Sequence, residues 1–333
     1  MEKKYYIGLD VHKRQTTYAV KDWNGVTLDS GETATQFADL QSVLVKYIKR
    51  GVFVMEACTN YYHLYKEMKE KKIDVHVANV LQLRKLIGKN DKLDSERLAD
   101  MLRLNAMPES YIPEERIQNL RILIGLYHSE VIARVRYNNQ IDAVLDRNGI
   151  NLPVKNPFSK KGLVCINQYL QENNNFAIRT LLEGMKTLNE RIEHLSSEIL
   201  VYIKNNFLQE YELLKSIPGV GDVLAGYLIA EICPIDRFAN KRKLRRYAGV
   251  VPVREQSDKK IYATYLPKHA SRKLLRYALV LAANCAVRTD CRPRKYYQKK
   301  KKGRNHGHAI MCVASSLSDI VYMVLKTKQP YNL

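Results

Sequence analysis

Four acidic residues stand out by where they fall. Asp10 ends the apolar run "YYIGLD", Glu56 ends "GVFVME", and Asp91 and Asp94 stand three apart in "KNDKLDSERLAD". A carboxylate at the end of a strand that reads as core is costly unless it is paired or bound to metal. Taken singly, each has an ordinary explanation: a turn cap for Asp10, a lysine partner for Glu56, a helix N-cap for Asp94. Taken together, they form the oxygen donor set of a divalent-metal site. Hard ligands of this kind suit Mg²⁺ or Mn²⁺, and two such ions about 3.5–4 Å apart clamp the attacking and leaving oxygens of a phosphoryl transfer. Asp91 and Asp94, at i and i+3, share one side of a helical turn.

The elements around these acids follow from the pattern of apolar residues. "KYYIGLDV", "TTYAVKD" and "GVTLDSGET" read as three strands, with Asn24-Gly25 as the hairpin signal between the second and third. Helix "FADLQSVLVKYIKR", strand "GVFVMEA", helix "YYHLYKEMKEKK" and strand "DVHVANV" follow, and "DSERLADMLRLN" opens a further helix at Asp94 or Ser95. A meander followed by alternating helices and strands predicts a mixed sheet flanked by helices over residues 1–110. From 111 to 210 two long helices are expected. Ile117, Leu120, Ile124, Tyr127 and Val131 keep heptad spacing in the first, and Leu181, Met185, Leu188, Ile192, Leu195, Ile199 and Tyr202 keep it in the second. Such a seam serves an intramolecular hairpin and a dimerising coiled coil equally well. The polar stretch 148–162 separates the two helices. Residues 211–333 read as a compact, mainly helical region that opens on the Pro-Gly-Val-Gly turn at 218–221.

Charge narrows the partners. The 333-residue chain holds 55 Lys or Arg against 34 Asp or Glu, a formal net charge of +21. Residues 241–304 alone carry 21 Lys or Arg and only three acids, with six interleaved tyrosines. Basic side chains neutralise phosphates and aromatic faces stack on exposed bases, so nucleic acid is the expected partner. The expected contacts are Arg254, Lys259, Lys260, Lys268 and Arg272, then Lys299, Lys300, Lys301, Lys302 and Arg304. The four-lysine run is expected to be a loop between ordered elements. Apolar runs such as "YALVLAANCAV" are too short to span a bilayer, and charges begin at Glu2 with no apolar segment behind them. Six scattered cysteines without a C-x-x-C pair suit reduced thiols. No membrane and a cytoplasmic location are therefore expected.

"YIGLDVHK", "VMEACTN" and "KNDKLDSERLA" resemble the RuvC-like (RNase H-like) domain of the DEDD transposases of bacterial insertion sequences. "IPGVGDVLAGYLIAEICPIDRFANKRKLRRYAGVVPVREQSD" and "PRKYYQKKKKGRNHGHAIMCVASSLSDIVYMVLK" are similar to the C-terminal transposase domain of the same family, so the resemblance runs over nearly the whole chain. It implies DNA recombination through a covalent serine intermediate, guided by a structured RNA that bridges target and donor DNA. The heptad helices and the long spacer between the two regions lead to the expectation of a homo-oligomer, dimer or tetramer, with a composite active site completed across protomers. The family's acidic quartet falls on Asp10, Glu56, Asp91 and Asp94, and its serine on Ser257. This chain departs from the family in two places. Asp258 stands where glycine usually follows the serine, and the downstream Ser-Lys-x-Gly pattern reads Pro267-Lys268-His269-Ala270, which keeps Ser271 open as a second candidate nucleophile. The alternative function is a metal-dependent endonuclease of the Holliday-junction-resolvase type that uses water as nucleophile. A nucleic-acid-binding protein on a decayed catalytic fold is a third, which the intact acidic quartet argues against.

Overall fold

The computed structural model describes residues 5–57, 61–79, 82–83, 94–257, 260–265 and 272–332, with backbone only for 253–257 and 260–265. They form two compact units, one up to Pro113 and one from Glu114. The boundary expected from the sequence is near 110, and the division lies between Pro113 and Glu114. The expected boundary near 210 falls inside the second unit.

The first unit is built on a five-stranded mixed sheet of order β3-β2-β1-β4-β5. Strands β1 (Tyr5–Val11), β2 (Gln15–Lys21) and β3 (Thr27–Ala34) form the antiparallel meander. Gly25 takes a positive φ of 90° in the connection between β2 and β3, which is what Asn-Gly supplies. After helix α1 (Phe37–Ile48), strand β4 (Gly51–Glu56) pairs parallel to β1. After helix α2 (Tyr61–Glu70), strand β5 (Val75–Ala78) pairs parallel to β4. Alternation along the strands sorts the two faces. Ile7, Leu9, Phe53 and Met55 join a core with α1 and α2 residues such as Leu44, Leu64 and Met68, while Val54 and Ala78 meet Leu98 of helix α3 (Ser95–Arg103) on the other face.

The second unit is helical apart from one hairpin. Helices α4 (Glu115–Arg147) and α6 (Phe176–Asn206) are the expected long pair, with a further helix α5 (Lys160–Glu172) between them inside the region read as a separator and its continuation. The heptad seam is closed within the chain. Ile117, Leu120 and Ile124 of α4 share a core with Ile199 and Ile203 of α6, and Ile141 and Leu145 share another with Ile178 and Met185. The pairing runs antiparallel, as a hairpin requires. The first of these cores continues into helices α7 (Leu208–Lys215), α8 (Asp222–Ile232), α9 (Lys241–Ala248), α10 (Lys273–Ala286) and α12 (His306–Thr327). That shared core is why no boundary falls near 210.

Strands β6 (Val253–Ser257) and β7 (Lys260–Tyr265) form an antiparallel hairpin in a stretch expected to be helical. Helix α11 (Arg292–Lys301) takes the lysine run as its last turn. The expected loop is therefore helix: Pro293 sits in the first turn, where its missing N–H costs nothing, and Gly303 with φ +71° follows the end. Helix α12 is long and apolar enough to cross a membrane by length and composition alone, longer than the apolar runs noted in the sequence. Its buried face, with Ala309, Val313, Leu317 and Val321, is part of the second unit's core.

Candidate functional site

The acids of the first unit are placed by the sheet and by one close approach. Leu9 of β1 is in register with Met55 of β4, so the next residues along, Asp10 and Glu56, leave adjacent parallel strands at the same edge. Strand alternation puts Asp10 on the face of Gly8, and Glu56 on the face of Val54. This is the face that α3 covers. Gly8 explains how closely: a Cβ there would stand 1.9 Å from the Ser95 carbonyl oxygen, so only glycine lets the first turn of α3 lie on β1. Asp94 is the N-cap directly before that turn, and its Oδ1 accepts the Arg97 N–H at 2.8 Å. Three of the four expected acids therefore lie on one face, towards one edge of the sheet.

Lys21 fastens the far side of α3. Its ammonium is largely buried and pairs with Asp100 at 2.5 Å and Glu96 at 3.7 Å. His12, just past β1, brings Nε2 to 3.3 Å from Asp10 Oδ2. Asp10 is half-buried and Glu56 is half-buried with further interactions of its own. Asp91 lies outside the described residues. Among the described residues no three His, Cys, Asp or Glu side chains stand close enough to hold an ion as a set. The donor chemistry nonetheless fits a hard divalent cation: three carboxylates, of which Asp94 is exposed and uses Oδ1 for its cap bond. Gly8, Lys21 and His12 were absent from the sequence-derived site. Of these, only the glycine inside a strand carried a sequence signal.

In the second unit Ser257 is the last residue of β6, paired with Lys260 across the hairpin end. Arg254 pairs with Thr264 in the same ladder. Lys259, Lys268 and Ser271 lie outside the described residues. Arg272 is also engaged within the fold. Its Nε and Nη2 donate to the two carboxylate oxygens of Glu231 at 2.6 and 3.0 Å, and Glu231 is 1% exposed. Bonding to Glu231 raises the guanidinium pKa, against the effect of burial. A buried carboxylate needs this partner, and the Arg272 side chain stays 43% exposed beside it.

The remaining cations are presented on helices. Lys300 and Lys301 lie over the rings of Tyr296 and Tyr297 at 5.4 and 5.8 Å from the centroids, and Lys299 and Lys302 are exposed beside them. Arg304 Nη1 stands 2.6 Å from His308 Nε2. Helix α9 adds Lys241, Arg242, Lys243, Arg245 and Arg246 within eight residues, capped by the Asn240 side chain on the Lys243 N–H.

Known proteins resemble both parts of the chain. Residues 7–149 match a DEDD transposase model of IS110 elements, and residues 211–298 match the model described as transposase IS116/IS110/IS902 family. The chain is 22% identical over 299 residues to the transposase for insertion sequence element IS1111A of Coxiella burnetii, covering 86% of this chain and 81% of that protein. It is 26% identical over 153 residues to a 44.8 kDa protein of insertion element IS116 from Streptomyces clavuligerus, covering 46% and 38%. It is 31% identical over 123 residues to a 42 kDa protein of insertion element IS900 from Mycobacterium paratuberculosis, covering 36% and 31%. The match thus spans about a third of the length of the IS116 and IS900 proteins. The two family matches follow one another along the chain, 7–149 and then 211–298.

Proposed function

We propose that this protein is a DNA transposase that moves an insertion sequence by metal-assisted strand cleavage and exchange. The observation that carries the proposal is the order of the two matched regions, with Asp10 and Glu56 at neighbouring strand ends in the first and the basic helices in the second. The strand order, a meander continued by two parallel strands, supports an RNase H-like reading of the first unit. Asp10, Glu56, Asp91 and Asp94 are the residues that would hold Mg²⁺ or Mn²⁺, and the ion would supply Lewis-acid stabilisation of phosphoryl-oxygen charge.

Ser257 is the proposed nucleophile. Its Oγ bonds to a DNA phosphorus as the bond from that phosphorus to a sugar oxygen breaks, the serine proton passing to a base and the departing oxygen taking one up. Attack by a sugar hydroxyl of a second strand reverses the step, rejoins DNA and frees the serine. The hydroxyl of serine is a weak nucleophile and requires such a base. Charged Arg and Lys neighbours stabilise phosphate charge but accept no proton. A structured guide RNA and a homo-oligomer belong to the same proposal.

The test is a Ser257→Ala variant beside Ser271→Ala, each assayed for strand exchange and for protein covalently attached to DNA. Loss of the adduct in Ser257→Ala alone is expected. An adduct that survives there and disappears in Ser271→Ala moves the nucleophile. Cleavage without any adduct in the unaltered protein would favour water, as in a resolvase-type endonuclease.

A further inference from the structure

The second unit contains a cavity of about 1190 Å³ that the proposed chemistry does not use. Its floor is one side of α12, where Met311 and Ile320 pack against the edge of the core while also lining the cavity, and Met323 lies outside that core. Met323 is 49% exposed, and Val251, Pro252 and the segment after α12, with Pro330 and Tyr331, also line the cavity. Arg245 of α9 and Arg292 and Tyr296 of α11 form its sides, and Ser315, Ser316 and His308 add polar groups.

Charge selects the occupant. Helix α9 has five Lys or Arg in eight residues, α11 has six in ten, and neither contains an acid. The acid in the lining, Asp319, is already matched by Arg245 Nε at 3.1 Å. Within the lining the cations are Arg245, paired with Asp319, and Arg292, so an apolar floor bordered by two basic helices complements a chain whose backbone is anionic and whose side groups are flat and largely apolar. That is the chemistry of nucleotides. Tyr296 offers a ring at the wall, with Lys300 over it at 5.4 Å. Bases in a duplex are stacked and paired, and reach a recessed floor only by leaving the helix at a cost of a few kcal/mol each. The volume exceeds the roughly 300–1,000 Å³ of clefts for a single small ligand, so more than one unit of a strand fits.

We propose that this cavity binds an unpaired DNA strand, two or more bases lying on the α12 face with their phosphates towards α9 and α11. The assignment to DNA rests on the proposed strand exchange, which leaves strands unpaired, and on a floor of Met and Ile suited to the thymine methyl group and deoxyribose. The cavity then discriminates single strands from duplex, which the exposed lysines cannot do because they read phosphate alone.

Cys312 lies half-buried in the lining and reports occupancy directly, while Cys285 is exposed outside it. Alkylation of the full-length protein by a maleimide, read at each cysteine by mass spectrometry, is compared with ten-residue oligothymidylate, a duplex of equal length, and oligouridylate. The DNA single strand is expected to slow Cys312 at least about tenfold and Cys285 less than twofold, with no protection from the duplex. In parallel, fluorescence anisotropy follows Tyr296→Ala and Ser316→Trp, and Met323→Glu if the tryptophan variant fails to fold. Stacking on an aromatic ring is worth about 1–3 kcal/mol per base, so Tyr296→Ala should weaken single-strand binding by about tenfold and leave duplex affinity within twofold. Unchanged single-strand affinity in the folded cavity variants overturns the proposal, as does protection by the RNA strand alone. A change of oligomeric state in the same variants, seen by sedimentation, would assign the groove to a second copy and overturn it too. If the unaltered protein binds no nucleic acid, the proposed function falls with it. Retained nucleic-acid binding that ignores the cavity sinks this inference alone.

Discussion

The two units solve opposite electrostatic problems. The first gathers like-charged carboxylates at one sheet edge, and what holds them there is narrow: a glycine that admits α3 to within contact of β1, an N-cap, and the Lys21 pair with Asp100. The second spreads cations over helix surfaces in two separate runs, with tyrosine rings and few acids beside them. Like charges converging on a site need a scaffold accurate to fractions of an ångström. Like charges spread along a helix need only to remain solvated and within reach of a phosphate. The lesson is that a single change in the first unit should be decisive, whereas losses in the second should be graded.

The largest effect is expected for Asp10→Asn, which keeps the shape of the side chain and removes its charge. Strand exchange should fall by at least about 10³-fold, equivalent to about 4 kcal/mol of transition-state stabilisation, while the thermal melting curve stays close to that of the unaltered protein. A variant that keeps activity within tenfold would break the comparison at its first term. Arg272→Met should come next, and in stability rather than chemistry. It leaves Glu231 charged and buried without its partner, a loss of about 3–5 kcal/mol measurable by urea denaturation, whereas the double variant with Glu231→Leu should recover much of it.

Gly8→Ala sharpens the point about accuracy. The added methyl meets the Ser95 carbonyl oxygen at 1.9 Å, so α3 must shift, costing about 1–3 kcal/mol of stability together with activity. Loss of activity in a variant that melts normally would show that α3 moves as a body and carries Asp94 with it. Graded behaviour is expected from Lys299 to Lys302. Each Lys→Gln change should weaken binding about equally for all DNA sequences, and each lost phosphate contact should flatten the salt dependence by about one. An all-or-none loss from one lysine would contradict the distributed picture.

The smallest effect concerns pH. Burial lowers the pKa of His128, whose Nδ1 stands 3.0 Å from the Tyr227 hydroxyl. The unfolded chain therefore takes up the proton first, and stability should decline as pH falls below the ordinary histidine pKa of about 6.5. His128→Gln should remove that part of the decline between pH 7 and 5 in thermal melts. An unchanged slope would place the origin elsewhere.

The five strands of the first unit and three of its helices were legible in the sequence, since alternation and Asn24-Gly25 are local signals. So was the N-cap role open to Asp94, because a cap is read within three residues. Helix α5 was missed in and beyond a polar stretch read as a separator, although Ser159 caps it through the Gly162 N–H at 3.1 Å. The β6–β7 hairpin was missed for a different reason: its short alternating strands lie in a basic stretch flanked by helices. Placing the lysine run in a loop overlooked that lysine is a good helix former and that Pro293 and Gly303 mark the two ends.

Local order alone determined which residues carry charge, which strands alternate and which acids end them. Partner choice is another matter, because it is a property of space. The heptad seam had the same spacing whether it closed on its own chain or on another, and only packing of Ile117, Leu120 and Ile124 against Ile199 and Ile203 decided it. Arg272 looked like any cation in a basic stretch until the fold brought Glu231, 41 residues away, against it. A buried carboxylate captures the nearest guanidinium because leaving it unpaired costs more than any contact the arginine makes at the surface. The side of α12 that lines the cavity has the same origin, since helical periodicity marks a face as apolar without saying which side the core will fill.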